Sequence, residues 1–386
     1  MRRLWLGIAV IGLLLGGAAP AMAWERGKVE NFVTLPAFTP SGGTPNQNCP
    51  NNAATCTSDI EGIAVGPDGT VYTASFGFNS QGGLNPKSEG EFFVISPDGD
   101  VVKHFPVTGS SPQLIGMVYQ ASSKSVLVAD LDNGKVWQVN PATKAVSVFM
   151  QVPNKIANPG LNALTIDKAG NVYVSDSFQG AIWMTGPGGG TPTAWYAPFN
   201  AGQTDLLLPN ANPGEVLIPP FGANGIEFNS EGTILYAMNT AYHSIVAIPV
   251  NHDGSAGAAA TLTTGINAPD GVAVDRNDNL WVVANQGDEI VVVNPQGKAI
   301  AKKGDFDGVT GDGSIDGLLF PASDAFSPDG HTLYVTNLAL NLPFAGVPEI
   351  AVDSAWTLKV ERYNIAKITL GGGTCNDEAE AAKAKC

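Results

Sequence analysis

Basic side chains are scarce in this chain: 20 Lys and Arg stand against 35 Asp and Glu, for a formal net charge of −15 at pH 7. That balance excludes a phosphate backbone or an anionic membrane as the partner, and its negative field concentrates cations instead. Long apolar runs are also absent beyond the first residues. The one run, Leu4 to Gly16, is shorter than the roughly 20 residues a membrane span needs. It follows Arg2 and Arg3 and precedes Ala21-Met22-Ala23, the layout of a secretory signal peptide over residues 1–23. The mature chain is expected to begin at Trp24 and to work in the periplasm or outside the cell. Removing the leader makes the charge more negative by two.

Cysteine is rare as well. The four residues form two local pairs, Cys49 with Cys56 and Cys375 with Cys386. Export permits disulfides. Of three connectivities the two local loops are expected, because each brackets a polar segment near a terminus. Chemical signatures are missing too: there is no G-x-S-x-G nucleophile elbow and no H-E-x-x-H zinc motif. Gly186 to Gly190 lacks the Lys-Ser/Thr of a phosphate loop and reads as a turn.

What the chain does contain is a recurring phrase: an apolar strand, a four-residue turn, then a second strand ending in a small or acidic residue. It reads G-I-A-V-G-P-D-G-T-V-Y-T-A-S from Gly62, A-L-T-I-D-K-A-G-N-V-Y-V-S-D-S from Ala163 and G-I-E-F-N-S-E-G-T-I-L-Y-A-M-N-T from Gly225. Further copies are G-V-A-V-D-R-N-D-N-L-W-V-V-A-N from Gly271 and A-F-S-P-D-G-H-T-L-Y-V-T-N from Ala325, with a weaker one from Gly116. Six units spaced by about 46 to 62 residues, rich in glycine turns, predict an all-β fold: a six-bladed β-propeller of four-stranded blades. The propeller is assigned residues 24–373 and a disulfide-tied tail residues 374–386. Asn31 to Leu35 is expected to close the ring, with Lys359 to Tyr363 and Ala366 to Leu370 finishing the last blade. Glu378 to Lys385 reads as a short C-terminal helix. Two insertions precede inner strands and are placed over one mouth of the ring. One, Gly186 to Phe221, carries Trp195, Tyr196, Phe199 and Phe221. These aromatics either form a substrate-binding lid or anchor a long loop. The other, Asp305 to Asp316, misses the spacing of a calcium-binding EF-hand and reads as a solvated acidic loop.

Four units place one polar, oxygen-bearing residue just before the inner strand: Glu61, Asn162, Asn224 and Asp270. In a propeller all inner strands start at the same end of the central channel, so these four converge. Folding needs the strand and the turn but not a carboxylate or amide at that register. Asn and Asp also cap backbone at strand starts, although Ser or Thr would serve equally there. Two carboxylates and two amides make an all-oxygen set suited to a hard divalent cation such as Ca²⁺.

The order E-G, then Asn, then A-N-G-I, then P-D-G resembles the gluconolactonase/regucalcin-like (senescence marker protein) family of six-bladed propellers, from about Asp59 to Asn337. It is similar in layout to paraoxonases and strictosidine synthase-like proteins. The resemblance implies that Glu61, Asn224 and Asp270 hold a divalent metal, with Asn162 beside it or in its shell. It also implies hydrolysis of lactones or related cyclic esters, with Asp270 a candidate general base. Two places depart from the sugar-lactone pattern. Gly160 stands where an arginine is common, and Ala163 where an acidic residue is. A hydrophobic lactone or ester is therefore the expected substrate. None of His104, His243, His252 and His331 begins an inner strand, so the channel histidine of paraoxonase-like members is missing. The second reading is a non-catalytic propeller that binds a ligand or a protein, with Ca²⁺ tying its blades.

Overall fold

The computed structural model describes residues 26–36, 59–76, 89–210, 220–340 and 354–370. The four cysteines, the leader and the C-terminal tail lie outside the described residues. Six four-stranded antiparallel sheets are arranged as blades around a channel. Their innermost strands are Ile60–Val65, Leu114–Gln120, Leu161–Ile166, Ala223–Phe228, Pro269–Val274 and Pro321–Phe326. Each packs beside the next, and the sixth packs beside the first.

The acidic-glycine turns between first and second strands work as the sequence suggests. Asp68, Asp167, Asn229 and Asp275 each accept backbone N–H bonds from inside their own turn, and in the first three Gly69, Gly170 and Gly232 take the positive φ that closes it. In the fifth blade Asp278 fills that left-handed position at φ 61°.

Apolar side chains pack chiefly between blades rather than along the axis. The seam between blades three and four holds Tyr173, Ile182, Trp195, Tyr196, Ile226 and Leu235, and the other seams are built alike. The ring closes as expected at its N-terminal strand: Val29–Thr34 pairs with Asn364–Thr369 as the outermost strand of blade six. Lys359 to Tyr363, however, is not a strand. Val360 and Tyr363 are instead buried against the hairpin Phe306–Val309 with Ile315–Gly317. That hairpin is the acidic insertion, and Asp305, Asp307, Asp312 and Asp316 are all exposed on it. A one-turn helix, Ser354–Thr357, is the only α-helix among the described residues.

Candidate metal centre at the channel mouth

Every inner strand carries a β-bulge in the same place, between its first and fourth residues. A bulge re-aims the side chain it contains. The residue so aimed is the second of each strand: Glu61, Ile115, Asn162, Asn224, Asp270 and Ala322. The four sequence candidates thus sit inside their strands, not before them. The sixth unit's equivalent position is Ala322.

Glycine follows this position in four blades, for a steric reason. A Cβ on Gly62 would lie 2.1 Å from the Ile115 carbonyl oxygen, on Gly116 2.2 Å from that of Asn162, and on Gly225 2.1 Å from that of Asp270. Each glycine lets one blade's backbone touch the aimed residue of the next. The ring is drawn tight at that level.

Glu61, Asn162, Asn224 and Asp270 line one small cavity of about 50 Å³, and none is more than 7% exposed. Its remaining wall is apolar: Phe76, Ile115, Phe221, Phe320, Leu338 and Leu340, with Thr240 and Asn285 behind the polar set. Phe320 is held at φ 44°, a strained setting for a bulky residue, by its N–H bond to Asp288 Oδ1.

The orientation of both amides follows from their neighbours. Thr240 spends its one hydroxyl proton on the Pro269 carbonyl (2.7 Å), so it can only accept from Asn224 Nδ2 (2.9 Å). Ser177 likewise donates to the Ala223 carbonyl (2.6 Å) and accepts from Asn162 Nδ2 (3.2 Å). Both Oδ1 atoms therefore face away from their hydroxyls. Neither has a hydrogen-bond partner, and Glu61 Oε2 has none either. Buried oxygens left unpaired cost about 1–3 kcal/mol each, more when charged, so three in one cavity call for a ligand.

The two carboxylates carry the same message. Burial pushes Glu61 well above the usual range, and the charge of Asp270 pushes it further against a hydrogen bond from Ser323. Burial raises Asp270 to about 8 despite hydrogen bonds from Asn224 and Asn285, the latter's Nδ2 lying 2.9 Å from Oδ2. This all-oxygen donor set, with three orphaned atoms and two carboxylates lacking a basic neighbour, fits a hard divalent cation. Among the described residues no three His, Cys, Asp or Glu gather at one point, as a zinc site would require.

The aromatic insertion divides. Trp195 and Tyr196 end the outermost strand of blade three, buried in the seam with blade four. Trp195 donates to the Gly254 carbonyl (2.8 Å), and the Tyr196 hydroxyl bonds Thr204. Phe199 packs on Trp183 with ring centroids 5.9 Å apart. Of the four, only Phe221 lines the cavity; Trp195, Tyr196 and Phe199 pack within and beside their own blade. Phe178, a residue sequence reasoning missed, stacks on Phe221 at 5.7 Å and occupies the space a side chain at Gly160 would need. Also missed were Ser177, Thr240 and Asn285. Each directly follows its blade's second strand, and a signal was present: the repeats end in S-D-S, M-N-T and V-A-N.

The sequence profile of the SMP-30/Gluconolactonase/LRE-like region matches residues 88–303, more than half of the chain. The chain belongs to that family. Among solved structures, this SMP-30/gluconolactonase-like propeller is similar to a calcium-binding protein, regucalcin, from Agrobacterium tumefaciens. The TM-score is 0.56 at 15% identity, over 82% of this chain and 91% of that one. A luciferin-regenerating enzyme gives 0.56 at 15% identity over 82% and 93%. A streptogramin B lyase gives 0.53 at 14% over 90% and 99%. At these identities the likeness establishes the propeller fold. No curated protein sequence matches the chain.

Proposed function

We propose that this protein is an exported hydrolase of lactones or related cyclic esters that depends on a divalent metal, Ca²⁺, held by Glu61, Asn162, Asn224 and Asp270. The observation that carries this reading is the set of orphaned oxygens, Glu61 Oε2, Asn162 Oδ1 and Asn224 Oδ1, around one cavity with Asp270. Membership of a family whose name includes gluconolactonase, and a neighbour described as a calcium-binding protein, support it.

A cation held by these four residues would supply stabilisation of the negative charge that develops on the ester carbonyl oxygen. Asp270 takes one proton from the attacking water. The water oxygen then bonds to the acyl carbon, the ring C–O bond opens, and the proton passes to the leaving alkoxide, giving a hydroxy acid. Asn285 holds Asp270 in place through Oδ2. Phe76, Phe221, Phe320, Leu338 and Leu340 keep water out and receive an alkyl chain. Where an arginine would favour sugar acids, Gly160 admits the Phe178 ring, so an apolar lactone is the expected substrate.

The absence of any basic side chain from the cavity wall among the described residues favours the second reading, a binding propeller whose Ca²⁺ ties the blades. Chelation and activity separate the two. The chelated protein should melt lower and recover with Ca²⁺, and Glu61→Ala should abolish the recovery. Alkyl γ- and δ-lactones should be hydrolysed in preference to sugar lactones. Asp270→Asn keeps a coordinating oxygen but cannot take a proton, so it should lose at least about 100-fold in turnover while still binding the ion. A melting temperature indifferent to chelation overturns the metal centre. No turnover on any lactone or ester leaves the binding reading. The mass of the mature chain tests export, with Trp24 expected as the first residue.

A further inference from the structure

Below the ring of bulges the channel widens into a second cavity of about 570 Å³, lined by the lower halves of the inner strands and by turn residues such as Pro67, Asp275 and Pro328. It therefore opens at the end of the propeller opposite the mouth. Of the three carboxylates in its wall, Asp275 is satisfied at the rim by Asn277, Asn279 and Trp281, which leaves Asp324 and Glu227.

Asp324 is the anomaly. It is 8% exposed, and neither of its carboxylate oxygens has a hydrogen-bond partner. Glu227 accepts the Thr165 hydroxyl (2.8 Å) and the Phe228 N–H (2.9 Å), both on Oε1. Among the described residues no Lys, Arg or His lines either cavity. Among the described residues, and apart from Asp275 in its rim turn, the channel thus carries four carboxylates, Glu61 and Asp270 above and Asp324 and Glu227 below, with no basic side chain beside them. One divalent ion at the mouth balances only the upper pair. A buried carboxylate without partner or counter-charge is costly, and a structural need for an acid at position 324 is absent because the equivalent inner-strand residues, Ile63, Met117, Leu164, Ile226 and Val272, are all apolar.

We infer that Asp324 and Glu227 form a second site for a hard divalent cation of the Ca²⁺ class, on the far side of the bulge ring from the mouth. Asp324 provides two free oxygens and Glu227 its Oε2. The cavity leaves room for the ion to keep several waters, as Ca²⁺ with few protein ligands does. Burial and the charges of Asp270 and Glu227 both disfavour an ionised Asp324 when no cation is present, which agrees with the placement.

The test counts ions. The full mature chain, chelated, exchanged into buffer at pH 8 and titrated calorimetrically with Ca²⁺ alone, should bind two ions. Asp324→Asn and, separately, Glu227→Gln are neutral and near-isosteric, and each should leave one ion with its affinity changed less than about 3-fold. Asp270→Asn should affect only the other binding event. One ion in the native chain that survives in Asp324→Asn overturns the second site and shows that Asp324 is held as a neutral acid. Two ions persisting in both lower-site variants overturns it as well. One native ion that Asp324→Asn removes and Asp270→Asn leaves intact upholds this site while defeating the mouth centre, so the two claims fail separately.

Discussion

At the scale of single residues, the channel carboxyls set how stability responds to pH. Asp270 is raised to about 8 and Glu227 to about 7, chiefly by burial, with Glu61 and Asp324 also raised. In the unfolded chain these groups titrate near 4. Between roughly pH 4 and 8 the folded, ion-free protein therefore holds protons that the unfolded chain has released. Stability must then fall as pH rises across that window, by up to about 1.4 kcal/mol per pH unit for each proton held. A bound cation replaces those protons and removes the loss. The gap in melting temperature between Ca²⁺-loaded and chelated protein is accordingly expected to widen from pH 5 to pH 8. A constant or narrowing gap would show that the carboxylates are not where the ion binds.

At the scale of elements, the glycine after four of the six aimed residues is what lets neighbouring inner strands touch. Gly225→Ala would push a methyl into the Asp270 carbonyl, because the added atom falls 2.1 Å from that oxygen. It should cost at least about 3 kcal/mol in urea unfolding and weaken Ca²⁺ binding. Gly186→Ala, with open space around it, should change neither by much. Equal effects from both would mean the contact is slack. The same elements explain what could be read from the chain in advance. Six repeats, the turns and the four oxygen-bearing residues were legible because strand, turn and bulge recur at fixed register within each blade. The aromatics could be read only as lid or anchor because Trp195 and Tyr196 lie in a fourth strand, and fourth strands carry no common motif. Lys359 to Tyr363 alternates like a strand, but Val360 and Tyr363 bury themselves against the acidic hairpin instead. Asp324 escaped notice because, aligned on the P-D-G turns, it falls two residues past the aimed position, Ala322, at the place Ile63 holds in the first blade.

At the scale of the whole molecule, two devices hold the ring. The strand Val29–Thr34 closes it from outside, and a cation at the mouth would tie it from inside, through blades one, three, four and five. Blade two offers Ile115 at that register and blade six Ala322, so neither contributes a side-chain ligand. Glu61 stands at the seam between the first and last blades, where the Thr336 hydroxyl of blade six donates to the Glu61 carbonyl. An ion that binds only the closed ring stabilises it by about 2.7 kcal/mol at 100 times its dissociation constant. Amides that exchange through openings which release the ion should then slow by up to about 100-fold. Hydrogen exchange followed by mass spectrometry, with and without Ca²⁺, is expected to show this slowing in Ile60–Val65, Leu161–Ile166, Ala223–Phe228 and Pro269–Val274. The outer strand of blade two, Val146–Gln151, should change least. Protection spread evenly over all six blades would mean that the ring opens only as a unit. Protection concentrated in blade two would place the ion elsewhere than at these four residues.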